Sequence, residues 1–303
     1  MAQDIGGTLC STLRDLSANS LEEHAVKLAV VAMAIGIELG LDQDNARQIG
    51  VAGLLVDVGM TQIPEEITTA ERRLTIAEYV LLQRHPIHAA DRLERMSGIP
   101  HLTKIIAYQV HERPDGTGYP RGRTEATIHQ FARILHVADS YVAMTSVRPY
   151  RPPVLPYIAM KALLGQAQRN KVEPACVRAL LRLLSLFPLG SLVALSDGSV
   201  AQTFRANGED FNNPIVAVLL NAQGERLEPD DEPVLLDLAQ SELTIVQALP
   251  KPCREMVTTE ERAVSAWDYC LDKQAHDQRT VDRESAAQDS VDHDSIDQEA
   301  VAT

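Results

Sequence analysis

Through the first two thirds of the chain, apolar positions recur at helical spacing. Val26, Leu28, Val31 and Ile35 follow one such pattern, and Ile49, Ala52 and Leu55 repeat it. Thr75-Ile76-Ala77-Glu78 reads as a capping box, opening a helix predicted to carry His85. From Ser191 to Leu249 the apolar runs become short and β-like. Leu192–Leu195, Ile215–Leu220 and Leu243–Val246 are predicted strands, separated by turn signals at Asp197-Gly198, Asn207-Gly208 and Asn221 to Gly224. A last helix is expected from Thr258, where Thr258 and Glu261 have cap spacing and Val264 and Trp267 share a face. Past Ala275 come three related units, Val281-Asp282-Arg283-Glu284-Ser285, Val291-Asp292-His293-Asp294-Ser295 and Ile296-Asp297-Gln298-Glu299-Ala300. Each sets one apolar residue before acids and polar groups, too little to offset the entropy of ordering, so a disordered acidic tail is expected. The expected organisation is mainly α. It has an N-terminal segment at 1–19, a helical domain at 20–188, a small β extension at 189–250, a linker with a short helix at 251–274, and the tail at 275–303.

Composition narrows the function classes. The 303 residues suffice for a sizeable helical core plus a smaller module. A formal net charge of −14 argues against nonspecific binding to nucleic acid or anionic membrane, although the tail holds part of that acidity. Cys10, Cys176, Cys253 and Cys270 show no CxxC spacing and read as free thiols of a reducing compartment. The most apolar stretch, Ala25 to Leu41, is interrupted by Lys27 and Glu38, which argues against a membrane span. Met1 to Gly6 lacks the basic start of a signal peptide, and a cytoplasmic location is expected.

The most informative segment is His111-Glu112-Arg113-Pro114-Asp115-Gly116-Thr117-Gly118-Tyr119-Pro120-Arg121-Gly122. A histidine precedes a loop whose glycines permit unusual backbone angles and whose Pro120 sets the exit direction. Such a loop can hold a ligand beside a phosphate-sized pocket. It resembles the signature loop of the HD-GYP family of bacterial cyclic-di-GMP phosphodiesterases. The resemblance extends to Gly53-Leu54-Leu55-Val56-Asp57-Val58-Gly59-Met60 with Ile63-Pro64, and to Arg84-His85-Pro86-Ile87-His88-Ala89-Ala90. It also takes in Ala132-Arg133-Ile134-Leu135-His136-Val137-Ala138-Asp139 and Met144-Thr145-Ser146-Val147-Arg148-Pro149-Tyr150-Arg151, and covers roughly residues 20 to 185. Phe187 to Gly198 resembles a β extension that often follows the domain. The implied fold is an HD-domain helical bundle.

The resemblance implies phosphodiester hydrolysis by clustered iron or manganese ions. Residue by residue, the metal ligands it implies here are His24, Asp57, His85, His111 and Asp139, with Asp57 as the catalytic candidate. Four family positions have become apolar: Val56 and Val110 replace histidines, Met60 a lysine and Val142 an acid, while Ser20 stands where trinuclear members have a glutamate. None of those apolar side chains can ligate a hard cation. The depleted set leaves one iron or manganese ion, or none. His24, Asp57 and Asp139 could hold that ion, with His85 and His111 left as half of a neighbouring position; His88 and His136 are further candidates. The same five residues can instead form a metal-free hydrogen-bonded network that satisfies two buried carboxylates.

Arg148 and Arg151 match positions where the family presents cations to the dinucleotide phosphates, and Gly118, Tyr119 and Pro120 keep the pocket-shaping loop. Two functions are therefore expected. One is a weak or inactive binding module for cyclic-di-GMP or a related nucleotide, or for a diguanylate cyclase-type protein met through the loop. The other is an active metal-dependent phosphodiesterase with a reduced centre.

Overall fold

The computed structural model describes residues 9, 13, 20–148, 152–225 and 234–250, and these all belong to one compact unit, Met1–Ala263. Arg151, the helix expected from Thr258 and the acidic tail lie outside the described residues. The fold is mainly α with a small antiparallel sheet at its C-terminal end.

Helix α1 (Leu21–Glu38) opens at Ser20, whose hydroxyl accepts from the Glu23 amide while the Glu23 carboxylate accepts from the Ser20 amide. A cap of this type contributes about 1 kcal/mol. The helix buries Leu28, Val31 and Ile35, each worth about 1.5–3 kcal/mol relative to exposure, and on the same element His24. Helix α2 (Gln43–Leu55) packs along it and runs into a 3-10 segment, Val56–Gln62. The short α3 (Glu65–Thr68) leads to α4 (Ile76–Leu82), α5 (His85–Glu94) and α6 (His101–Gln109). Helix α7 (Gln130–Thr145) is buried on nearly every side and packs on α1, followed by α8 (Pro156–Gln168) and α9 (Pro174–Leu184). No described helix is long and apolar enough to cross a membrane.

The capping box at Thr75 forms as expected, but the helix it opens does not carry His85. Helix α4 ends at Leu82, and His85 starts α5 with Pro86 in its first turn. Proline has no amide hydrogen, and its ring would collide with the carbonyl four residues back, which is that of Leu82. The chain therefore breaks and restarts.

The sheet runs β4-β3-β2-β1-β5, every pair antiparallel, with β1 at Leu192–Leu195, β2 at Val200–Asn207, β3 at Asp210–Leu220, β4 at Leu235–Asp237 and β5 at Ile245–Leu249. Strands β2 and β4 add to the three expected from sequence, and the last strand begins two residues later than expected. Gln202, Arg205 and Asn207 give β2 the look of polar chain, yet its Ala201 and Thr203 are buried. Phe187, Val193, Leu195, Ala201, Val216 and Leu238 form a small second core. Tyr157 of α8 stacks on Phe187 at 4.9 Å between ring centroids and joins sheet to helices.

Candidate metal centre

Each of the five ligands implied by the resemblance reaches the same polar spot inside the helical part, four of them from four different elements and the fifth from a loop. His24 comes from α1, Asp57 from the 3-10 segment, His85 from the start of α5 and Asp139 from α7; His111 follows α6. The approach of the 3-10 segment to α5 depends on Gly59. A Cβ there would lie 2.1 Å from the His85 carbonyl oxygen and 2.5 Å from the Ala89 amide nitrogen, both fixed backbone. Asp57 and His85 thus meet across a contact that no larger residue permits.

The break before Pro86 sets the chemistry of His85. Its Nδ1 lies 2.7 Å from the Leu82 carbonyl oxygen, which can only accept, so Nδ1 carries the hydrogen and the neutral ring turns the lone pair of Nε2 inward. That Nε2 is 2.9 Å from His111 Nε2 and 3.8 Å from Asp57 Oδ1. One ligand atom from each of Asp57, His85 and His111 falls within 4.8 Å of the others. Two imidazole nitrogens bound at right angles to an ion at about 2.1 Å would stand roughly 3 Å apart, so the pair is spaced as a metal edge. Two histidines and one carboxylate form a donor set that suits divalent iron, with imidazole and carboxylate also compatible with manganese. The residues present therefore fit one such ion.

The other two ligands pair with each other. His24 Nε2 is 3.1 Å from Asp139 Oδ1 and 3.6 Å from Asp57 Oδ2, while His111 Nδ1 is 3.8 Å from Asp139 Oδ2. Arg148 brings an Nη2 to within 3.4 Å of His24 Nδ1. Donor atoms of Asp57, His85 and His111 gather within 4.8 Å, a trio other than the His24, Asp57 and Asp139 that could hold a residual ion on the sequence alone. Relative positions of side chains over such sequence distances carry no local signal.

Burial dominates the electrostatics. Desolvation, opposed by nearby Asp57, holds His85 below the usual imidazole value, and desolvation followed by His85 itself holds His111 well below it. Both rings are thereby kept neutral, the form that ligates metals. Burial alone would raise Asp139, but the His24 hydrogen bond, with the Arg148 guanidinium nearby, outweighs it and holds the carboxyl below its usual range.

The glycine loop closes over His111. Gly118 passes so near the preceding backbone that a Cβ would lie 2.3 Å from the Arg113 nitrogen and 2.5 Å from the His111 carbonyl oxygen. The Tyr119 amide donates to that carbonyl at 3.1 Å, and the Tyr119 ring stacks on His111 at 4.9 Å. Desolvation, then the neighbouring Tyr79, pushes the Tyr119 phenol well above its ordinary value. Tyr119 and Pro120 are joined by a cis peptide bond. Glu112, which sequence reasoning did not single out, is buried, and its two carboxylate oxygens accept from the Arg121 and Arg123 amides at 2.8 and 2.7 Å. An acid beside a loop rich in turning backbone was the available signal. His136 is buried, with Nδ1 2.8 Å from the Val110 carbonyl oxygen, while His88 is only partly buried on α5. Val56, Val110 and Val142 are each 1% exposed and belong to the main apolar core.

Comparison with known proteins supplies context for this geometry. A family model described as an HD domain matches residues 9–176. The chain is 32% identical over 203 residues to the cyclic di-GMP phosphodiesterase PA4108 of Pseudomonas aeruginosa, covering 67% of this chain and 48% of that protein. It is 34% identical over 143 residues to 3'3'-cGAMP-specific phosphodiesterase 1 of Vibrio cholerae, covering 47% of this chain and 33% of that one. It thus spans half or less of these relatives' length. Among solved structures it is similar to Bd1817, a HDG"Y"P protein from Bdellovibrio bacteriovorus, at 20% identity over 53% of this chain and 51% of that one, with a TM-score of 0.47.

Proposed function

Because the chain belongs to the HD-domain family, we propose that it binds a cyclic dinucleotide at a one-metal centre and hydrolyses its phosphodiester slowly. The observation that carries this reading is the convergence of Asp57, His85 and His111, with their ligand atoms within 4.8 Å. A divalent iron or manganese ion held there would supply Lewis acidity and lower the pKa of a water molecule. The rest falls to the chain. Asp57, at 16% side-chain exposure, would accept the proton of the attacking water, its partial openness to solvent supporting that role. His85 is held in one tautomer by Leu82, His111 is kept in place by Tyr119, and Arg148, in contact with His24, would offer its guanidinium to phosphate oxygens. The substrate class is carried over from relatives that act on cyclic di-GMP and 3'3'-cGAMP. Gly118, Tyr119, Pro120 and Arg151 are proposed to border the ligand.

A purely binding role is the second reading, favoured by the burial of Val56, Val110 and Val142 in the apolar core. The diguanylate cyclase-type partner rests on the family resemblance alone.

The test is elemental analysis of tag-free protein purified anaerobically, followed by incubation with cyclic di-GMP and 3'3'-cGAMP. Near-stoichiometric metal that Asp57→Ala abolishes, together with slow appearance of linear dinucleotide, is the expected result. Metal with tight nucleotide binding and no product selects the binding role. Protein that takes up neither metal nor nucleotide refutes both.

A further inference from the structure

The polar centre has two unlike sides. Asp57, His85 and His111 gather their ligand atoms on one of them. On the other, both ring nitrogens of His24 are engaged, Nε2 at 3.1 Å from Asp139 Oδ1 and Nδ1 at 3.4 Å from Arg148 Nη2. A guanidinium can only donate, so Nδ1 accepts, and the single ring hydrogen lies on Nε2, directed at Asp139. Neither nitrogen then has a lone pair left for a metal. The resemblance makes His24 a metal ligand; here its contacts make it a holder of Arg148.

We propose that Arg148, held by His24 beside Asp139, stands in place of a second metal ion, so that the working centre combines one divalent ion with one guanidinium. The proposal rests on the reading of Asp57, His85 and His111 as the metal site. Charge supports it. With neutral imidazoles, the carboxylates of Asp57 and Asp139 and the anionic oxygen of one phosphodiester group are matched by one divalent ion plus one guanidinium. A second divalent ion would leave two uncompensated positive charges in a largely buried site, a costly state. Side-chain chemistry is compatible with it: Val56, Val110 and Val142, buried in the apolar core, offer no ligand atom for a second ion.

In hydrolysis the water oxygen forms a bond to phosphorus as its proton passes to Asp57, the ester P–O bond breaks, and the departing oxygen takes up that proton. Arg148 neither gives nor takes that proton. It holds a non-bridging oxygen by its charge and its planar fork of donors.

The experiment strips the full-length protein with chelator, reloads it with manganese(II) alone, and measures stoichiometry, affinity and the electron paramagnetic resonance spectrum. Wild type is expected to bind one manganese per chain, with the six-line spectrum of an isolated ion. Asp57→Ala should lose it. His24→Ala and Arg148→Met should retain it within about threefold in affinity, since neither side chain ligates. With cyclic di-GMP as probe, Arg148→Met should weaken binding at least tenfold and Arg148→Lys should recover part of the loss. His24→Ala should fall between, having released the guanidinium. Two manganese ions per wild-type chain, a coupled multiline spectrum, or loss of manganese in His24→Ala would overturn the arginine's role and leave the metal site standing. A wild type that binds no manganese, iron or other divalent ion overturns the metal site and this inference with it.

Discussion

The helical part and the sheet bury different things. The helices enclose charged and titratable groups, among them His24, His85, His111, Glu112, Arg113 and Asp139, within a large apolar core. Among the described residues, the sheet encloses six apolar side chains with the small hydroxyl residues Ser199 and Thr203 as buried polar company, and it leaves Phe204 and Val246 51% and 64% exposed. Buried charge is expensive unless it is paired, so it survives where something depends on it. In this molecule that contrast sets the part for which a metal centre is proposed apart from a sheet whose buried groups are small and mostly apolar.

The largest effect is expected from Gly59→Ala. The added methyl would meet the His85 carbonyl at 2.1 Å, so stability in urea should fall by roughly 3 kcal/mol or more, and bound metal should be lost with it. Wild-type stability and metal content would show that Asp57 and His85 do not depend on that close approach. Next comes a crossed pair. Leu195→Ala in the sheet core should cost about 2–4 kcal/mol while metal content measured on folded protein stays full. Asp57→Ala should do the reverse, abolishing metal while changing the stability of chelated protein by about 1 kcal/mol or less. If Leu195→Ala also empties the centre, the two parts are not separable.

A pH titration sharpens the contrast. His85 and His111 have folded values below the ordinary one, so in the unfolded chain they bind protons that the folded state refuses. Their contribution is complete above about pH 6.5 and is lost as pH falls from there toward the folded values, at up to about 1.4 kcal/mol per pH unit for each ring. The sheet has no histidine between Leu192 and Leu249. The slope measured on chelated protein should therefore flatten in a His85→Gln, His111→Gln double variant. An unchanged slope would place the sensitivity elsewhere. The smallest expected effect is Phe204→Ser on the sheet surface, within about 0.5 kcal/mol by thermal unfolding.

Much of this was legible in the chain, and the exceptions have physical reasons. The glycine loop was readable because Gly116, Gly118 and Pro120 impose backbone geometry locally. The capping box at Thr75 was readable for the same reason. The helix break at Pro86 was missed because the apolar period runs through it, although the proline itself was the signal. Strand β2 was missed because a sheet with one wet face tolerates Gln202 and Arg205 on its open side. The contact between Arg148 and His24 spans 124 residues and has no local pattern at all. It follows from how the end of α7 meets the start of α1, which only the packed fold determines.

Glu112 has a thermodynamic consequence of its own. By accepting from the amides of Arg121 and Arg123, its carboxylate ties the far end of the glycine loop to the near end from inside. The conformational entropy of that loop is thereby given up during folding, before any ligand arrives. A nucleotide bordered by the loop, as proposed, would meet walls already standing, and its affinity would not be reduced by the cost of raising them. Association should then follow a single bimolecular phase, with a heat-capacity change that reports only the surface covered.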